Sequence, residues 1–233
     1  MRIIGVLSGK GGVGKTTTAV NLGVGLAKYA DTLVIDANIS TPTLGIHLGN
    51  PTPRRTIHHA LSGKMPIANA IYKHASGLKL IPGSLSIEDL ELIDTFRLLA
   101  ILKDLRGHSD IIILDAAPGL GAEALTVLES CDEVLIVTNA DLPSVAGALK
   151  TLKAAKRIGK TVLGAVVTKS TRRDELKIHE IEKMLATPIL AVIKHDKNII
   201  KALKEKQPVL HHKPKCRASK EYAKLAKLLI GQK

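Results

Sequence analysis

The chain has very few aromatic residues and only two cysteines. It contains no tryptophan, one phenylalanine and three tyrosines, although 45% of its residues are hydrophobic. Cys131 and Cys216 lie far apart and form no C-x-x-C pair, which argues against a disulfide framework and against a paired thiolate metal site. The core must therefore consist of Ile, Leu, Val and Ala, and such a core is typical of a parallel sheet that is buried on both faces.

Long apolar runs are missing as well. The sequence has no stretch of 18 apolar residues, and Met1-Arg2 leads directly into an apolar strand instead of a signal sequence. These features predict a cytoplasmic protein with reduced cysteines. The length of 233 residues suits one α/β domain. Because no Pro-, Gly- or Ser-rich linker divides the chain, we expect residues 1–233 to form a single domain.

Acidic residues are scarce in the last third of the chain. Residues 1–149 carry 12 Lys and Arg against 14 Asp and Glu, whereas residues 150–233 carry 22 against 7, and the net charge is +13. This asymmetry predicts a surface that binds a polyanion, either DNA or an anionic membrane. A solvated lysine-rich face without a partner is the alternative. The candidate polyanion residues are Arg172, Arg173, Lys197, Lys201 and Lys204.

Apolar, β-branched runs alternate with helical patterns along the chain. Most of the runs are continuous, which predicts a doubly wound, mostly parallel α/β sheet of seven or eight strands flanked by helices. The predicted strands are 3–8, 32–36, 78–81, 110–115, 133–138, 161–168 and 188–193. The predicted helices are 15–29, 94–106, 121–130, 143–158, 174–185, 197–206 and 217–230. Between them, residues 40–75 are predicted to form loops and short helices.

The most informative motif is GKGGVGKT, which lies between the first predicted strand and a helix. It matches the phosphate-loop pattern G-x-x-x-x-G-K-[ST] in the strand–loop–helix setting that makes the pattern specific. Glycines let backbone N–H groups point at phosphate oxygens, Lys15 supplies a cation, and the Thr16 hydroxyl faces Mg²⁺. The helix N-terminus favours the same anion. The predicted nucleotide contacts are Gly9, Lys10, Gly11, Gly12, Val13, Gly14, Lys15 and Thr16.

Two aspartates end predicted strands near this loop. Asp36 closes TLVID and Asp115 closes DIIILD. Ligands of open α/β sheets bind at the carboxyl ends of strands, so both carboxylates are placed to hold Mg²⁺ through its water shell. A helix cap or a turn is the alternative role for each. Asp115 precedes Ala-Ala-Pro-Gly, in which the Gly119 N–H can approach a γ-phosphate.

Taken in order, GKGGVGKT, Asp36-Ala37-Asn38 and the segment 115–119 resemble the motifs of the MinD/ParA family of deviant Walker ATPases. The pattern Thr-Pro-x-Leu-Gly at 41–45 is most similar to archaeal MinD-type proteins. The resemblance covers the whole chain. It implies a P-loop ATPase fold, ATP and Mg²⁺ as cofactors, and a role in positioning cell-division components, chromosomes or other cargo.

The resemblance also implies a homodimer that closes around two ATP molecules. Lys10 of each subunit would reach the phosphates of its partner, and Thr17 would bind the α-phosphate. Residues 36–46 would form switch I and residues 115–121 switch II, both of which change shape when the γ-phosphate leaves. An activating protein is a further expected partner.

Two departures from the family pattern bear on activity. Asn38 stands where family members usually have a second switch I aspartate that positions the attacking water. An amide can hold this water but cannot accept its proton, so slow hydrolysis is expected, with Lys10, Lys15 and Asn38 as the catalytic residues. The family's usual adenine-binding Asn is replaced by Thr168-Lys169. Asn139 or the segment 194–196 remains as a possible adenine contact.

Several alternatives stay open. Asn38 is also compatible with a nucleotide-binding scaffold that has negligible turnover, whereas the isolated cysteines disfavour a metallochaperone. The final helix could lie on a membrane, but its apolar stripe favours core packing. His211-His212 with Cys216, and the pair His58-His59, are interpreted as surface residues, the latter on a solvated short helix. The expected location is the cytoplasm, peripheral to membrane or nucleoid.

Overall fold

The computed structural model describes residues 1–91 and 93–231. Its strands are β1 (Arg2–Leu7), β2 (Thr32–Ala37), β3 (Tyr72–Lys73), β4 (Lys79–Ile81), β5 (Ile111–Ala116), β6 (Glu133–Thr138), β7 (Thr161–Ser170) and β8 (Ile189–Lys194). They form one eight-stranded sheet in the order β3-β4-β2-β5-β1-β6-β7-β8. Each recorded strand pair is parallel except β3 with β4. The predicted fold class is therefore confirmed.

Ten α-helices connect and cover the described strands. They are α1 (Lys15–Leu26), α2 (Leu44–His47), α3 (Ile57–Leu61), α4 (Leu98–Lys103), α5 (Ala122–Ser130), α6 (Leu142–Arg157), α7 (Ile178–Leu185), α8 (Lys197–Lys204), α9 (Val209–His212) and α10 (Arg217–Leu229). Short 3₁₀ turns occur at Ile67–Ala70 and Thr95–Arg97.

The aliphatic core lies in two layers, one on each face of the sheet. Successive strand residues point to opposite faces, so Ile112 and Leu114 of β5 join one layer while Ile111 and Ile113 join the other. Helices α3 to α7 cover the first layer. Helices α1, α9 and α10 cover the second. Burial on both faces explains why the strands read as continuous apolar runs.

The predicted stripe on the last helix is confirmed as core packing. Tyr222, Leu225, Ala226 and Leu229 of α10 are all buried, and they contact the layer that contains α1. The apolar face of this helix is therefore already covered by the protein itself.

Three local expectations were wrong. The loop prediction for 40–75 missed the edge strand β3, which pairs antiparallel with β4. Helix α7 begins at Ile178, not at 174, because the Asp174 carboxylate accepts hydrogen bonds from the Ser170 hydroxyl (2.6 Å) and the Thr171 N–H (2.7 Å) and so closes a turn. His58 is buried rather than solvated, although it does lie on a short helix.

Candidate functional site

The phosphate loop joins β1 to α1 at the carboxyl edge of the sheet. Gly12 and Gly14 adopt φ angles of 73° and 94°, in the left-handed region that favours glycine. Gly9 is required for a different reason, because a Cβ there would lie 1.9 Å from the carbonyl carbon of Gly147 in α6. The loop therefore curls between α1 and α6, as the motif predicts.

Lys15 lies at the start of α1 and is buried. Burial lowers the pKa of its ammonium group, while the nearby carboxylates of Asp115 and Asp36 act in the opposite direction. Lys15 can therefore bind phosphate oxygens, whereas the two carboxylates beside it require a further cation when a phosphate is bound.

Asp36 and Asp115 stand side by side, as partners in the register of the parallel strands β2 and β5. Both are buried. Asp36 accepts a hydrogen bond from the Leu44 N–H at 2.8 Å, yet burial and the negative charge of Asp115 raise its pKa well above the usual range. Burial raises the pKa of Asp115 to about 6, against the opposing charge of Lys15.

The Asp115 carboxylate fits a site for Mg²⁺. Within residues 1–91 and 93–231, neither of its oxygens has a hydrogen-bond partner. Buried carboxylates are normally paired or bound to a metal, and hard oxygen ligands suit Mg²⁺. The Thr16 hydroxyl lies 3.2 Å from the Thr43 hydroxyl and supplies further oxygen donors at this edge.

Asn38 lines the cavity beside the phosphate loop, but its side chain is engaged within switch I. Its Nδ2 donates to the Thr41 carbonyl at 2.6 Å, and its Oδ1 accepts from the Thr41 hydroxyl at 3.1 Å. One N–H of Nδ2 and one lone pair of Oδ1 are not used by Thr41, so the amide can hold a water molecule while these bonds persist.

Gly119 in switch II has a φ of 78° and donates its N–H to the Ser8 carbonyl at 2.9 Å. This bond ties switch II to the base of the phosphate loop. The predicted contact with a γ-phosphate therefore requires the bond to Ser8 to break, and it stays a prediction.

Lys10 is exposed and pairs with Asp141 at the start of α6. Its side chain is 53% exposed, its Nζ lies 3.7 Å from Asp141 Oδ1, and it is not among the described residues that line the cavity. Asp141 also caps α6 by accepting from the Ser144 N–H. Lys10 is thus exposed at the rim and held by one weak ion pair.

A cavity of about 620 Å³ extends from the phosphate loop towards α8. Gly11, Gly12, Gly14, Lys15, Thr16 and Thr17 line one end. Thr168 and Lys169 line the cavity beside the phosphate loop. The α8 end is lined by Ile193, Lys194, His195, Asp196, Ile199, Ile200 and Leu203, with His47 beside them. The sequence indicated segment 194–196 as a possible adenine contact, but it did not indicate His47 or the α8 residues that line the cavity. Their position just after the carboxyl ends of strands was the available signal.

Lys169 has a positive φ of 54°, which is unusual for a residue with a Cβ, and its Nζ donates to the Gly12 carbonyl at 2.6 Å. Asn139 accepts a hydrogen bond from the Thr168 hydroxyl at 3.0 Å. Asn139 is not among the described cavity residues, so its contact with a base stays a prediction, whereas Thr168 lines the cavity directly.

The other predicted residues are distributed over the surface. The side chains of Arg172, Arg173, Lys197, Lys201 and Lys204 are exposed, which any polyanion contact requires. In the described part of the chain, no three His, Cys, Asp or Glu residues form a group that could hold a metal by themselves. Across the same residues, no helix combines the length and hydrophobicity needed to cross a membrane.

Comparisons with known proteins identify the relatives of this chain. A family described as an AAA domain matches residues 1–168. An uncharacterised ATP-binding protein of Methanocaldococcus jannaschii is 34% identical over 99% of this chain and 88% of its own length. The septum site-determining protein MinD of Thermotoga maritima is 31% identical over 99% of this chain and 88% of its own.

A solved structure shows the same fold with a nucleotide. The septum site-determining protein MinD of Pyrococcus horikoshii, complexed with Mg-ADP, superposes with a TM-score of 0.94 at 29% identity, covering 98% of this chain and 95% of that one. The phosphate loop, the paired strand-end aspartates and these similarities over nearly the whole chain establish that the protein is a member of the MinD/ParA family of P-loop ATPases.

Proposed function

We propose that this protein is a slow Mg²⁺-dependent ATPase that dimerises with ATP and acts as a spatial positioning switch. The observation that carries the proposal is Lys10. It belongs to the phosphate loop, yet its side chain is exposed and is not among the described residues that line the cavity. A phosphate-loop cation that does not serve its own subunit is available to the phosphates of a second one.

The chain's own residues supply the chemistry of hydrolysis. The N–H groups of the phosphate loop and the Lys15 ammonium bind the β- and γ-phosphates, and Thr17 lies beside them for the α-phosphate. Asp36, Asp115 and Thr16 hold Mg²⁺ directly or through water. When bound, this ion neutralises charge on the phosphates. Lys10 from the partner subunit would add a cation where charge develops.

Slow turnover follows from the state of Asn38. An amide orients water but does not accept a proton, and both of its polar atoms are engaged with Thr41. The same observation supports the second candidate, a nucleotide-binding scaffold with negligible turnover. The rate of phosphate release under single-turnover conditions separates the two.

The dimer role is tested by Lys10→Ala, with the exposed Lys28→Ala as the control variant. We expect Lys10→Ala to weaken ATP-dependent dimerisation, measured by sedimentation velocity, more than it weakens binding of a fluorescent ATP analogue. Asp141→Asn releases Lys10 from its ion pair and should favour the dimer slightly. Equal loss of binding and dimerisation in Lys10→Ala would contradict the role across the interface.

DNA is the polyanion that the structure favours. The apolar face of α10 is buried, so it is not available to a membrane, whereas Lys197, Lys201 and Lys204 of α8 are exposed. Phosphate contacts of this kind are independent of sequence and weaken steeply with salt.

The test of the surface is co-sedimentation with DNA and with anionic liposomes, with and without ATP, across a salt series, together with the ATPase rate in each condition. We expect ATP-dependent binding to DNA that is lost in the triple Lys→Ala variant of α8 and kept in a Lys73→Ala, Lys103→Ala control. Binding to liposomes but not to DNA would show that the polyanion is a membrane. Binding to neither would contradict the proposal that this surface binds a polyanion.

A further inference from the structure

Glu123 connects the two switch regions. It lies in the first turn of α5, two residues after switch II ends at Gly121. Its Oε2 accepts hydrogen bonds from the N–H groups of Ile39 (2.9 Å) and Ser40 (3.2 Å), and its Oε1 accepts from the Ser40 hydroxyl. One carboxylate therefore satisfies three donors of switch I, at the two residues that directly follow Asn38.

The peptide of Ile39 is held from the other side as well. His58 Nε2 lies 3.0 Å from the Ile39 carbonyl, and His58 Nδ1 accepts from the Ser84 N–H at 3.1 Å. Because Nδ1 is the acceptor, the proton of the neutral ring is on Nε2, which donates to Ile39. Burial lowers the pKa of His58, which favours this neutral form. The Ile39 side chain is itself buried in the core.

We propose that Glu123 is a positioning residue for ATP hydrolysis, which fixes the backbone of Ile39 and Ser40 so that Asn38 stays directed into the phosphate cavity. Among the described residues Asn38 makes no hydrogen bond to α5 itself, because its side-chain amide bonds to Thr41 and its backbone N–H donates to Asp36. Charge-assisted hydrogen bonds to backbone N–H groups are strong and directional, so they suit this role. The inference rests on the proposed ATPase function.

The contact of Glu123 with Ile39 and Ser40 also couples switch II to switch I. Switch II is tied to the phosphate loop through Gly119 and Ser8, and the helix that follows it carries Glu123. A displacement of switch II that moves α5 therefore displaces the residues next to Asn38. Positioning errors of about 1 Å cost up to roughly 100-fold in rate, so a modest shift is sufficient to change turnover.

The test compares Glu123→Ala with Glu129→Ala, a matched control on the exposed side of the same helix. We expect Glu123→Ala to lower kcat by about tenfold with KM for ATP unchanged within about twofold, because Glu123 is not among the described residues that line the cavity. Glu123→Gln keeps one acceptor oxygen and should lose less. Glu129→Ala should match the unmodified protein.

A double-mutant cycle shows whether Glu123 acts through Asn38. In an Asn38→Ala background, Glu123→Ala should have no further effect on kcat, because there is no amide left to position. An equal further loss would overturn the proposal, as would a raised KM with unchanged kcat. Full activity of Glu123→Ala in a protein that hydrolyses ATP would overturn the positioning role alone.

Hydrogen exchange in the nucleotide-free protein provides a readout that does not depend on turnover. Peptides covering Ile39 and Ser40 should be protected in the unmodified protein and in Glu129→Ala, and should exchange faster in Glu123→Ala. Unchanged exchange in Glu123→Ala would show that Glu123 does not hold the N–H groups of Ile39 and Ser40. If the unmodified protein does not hydrolyse ATP but the protection is present, both the ATPase function and the positioning role are overturned, while the contact itself stands.

Discussion

The two ends of the cavity are built on different physical principles. At the phosphate end, a continuous glycine-rich loop, a buried lysine and two buried aspartates converge, and each must be of a fixed chemical type. At the α8 end, the wall consists of Ile199, Ile200 and neighbouring side chains drawn from several elements. Buried charges must be balanced by partners of opposite charge, so few residue types can replace those at the phosphate end. An apolar wall can be formed by many combinations of side chains.

The ionisable groups at the two ends also differ, because those at the phosphate end interact with one another. Lys15, Asp36 and Asp115 are buried ionisable groups whose pKa values respond to one another. At the other end, burial alone lowers the pKa of His47 to about 4, so this residue is neutral at physiological pH. Mutations should therefore have large effects at the phosphate end and small ones at the α8 end.

The largest effect is expected for Lys15→Ala. Loss of the buried lysine at the start of α1 should lower ATP turnover by about 100-fold or more, since a preorganised cation in a shielded site is worth several kcal/mol. Phosphate release and equilibrium binding of an ATP analogue measure the effect. Lys28→Ala, an exposed lysine just beyond α1, is the control. A fall in turnover of less than about tenfold would contradict the larger contribution assigned to the phosphate end.

Asp115→Asn should make the ligand-free protein more stable while weakening the binding of Mg²⁺ and nucleotide. Burial raises the pKa of Asp115 to about 6, so the folded protein retains a proton that the unfolded chain releases near pH 4. Without Mg²⁺ and nucleotide, the free energy of unfolding therefore falls as the pH rises through this window. The amide avoids this loss and should stabilise the ligand-free protein by about 1 kcal/mol near neutral pH.

Thermal unfolding with and without Mg-ADP measures both sides of this prediction. The variant should gain less stabilisation from Mg-ADP than the unmodified protein. Its advantage without ligand should shrink as the pH falls below about 6 and should disappear once the pH is below the ordinary aspartate value of 3.8. A ligand-free variant that is less stable at neutral pH would show that the buried carboxylate is already compensated.

Asn38→Asp should raise turnover, by about tenfold, because a carboxylate adds negative charge that orients the attacking water and accepts its proton. Single-turnover hydrolysis is the measurement, and Asn69→Asp, at an exposed position, is the control. An unchanged rate would show that Asn38 does not occupy the water-positioning site.

The smallest effect is expected at the α8 end. Ile200 is 50% exposed, so Ile200→Ala removes about 1 kcal/mol or less of apolar contact and should weaken ATP binding only a few-fold. Leu228→Ala, at an exposed position of α10, controls for loss of surface apolar area. A loss as large as that of Lys15→Ala would show that the α8 end contributes as much to ATP binding as the phosphate end.

Motif residues were predictable where chemistry and local sequence coincide. The glycines, Lys15, Asp36 and Asp115 could be placed because a phosphate loop is contiguous and because strand ends share one edge of the sheet. The role of Glu123 could not be predicted, since it depends on a contact between residues 84 positions apart. The same holds for His58, whose buried partners come from two other loops.

The sequence by itself determined the fold class, the phosphate loop and the identity of the two strand-end carboxylates. Each of these follows from local periodicity, or from residue types that bound phosphate and Mg²⁺ require within a short segment. The tertiary structure alone decided that Lys10 is exposed and paired with Asp141, that Asn38 is engaged with Thr41, and that Glu123 holds the residues beside Asn38. Hydrogen bonds between distant segments form only once the packed core brings their donors and acceptors together, and no local pattern specifies them.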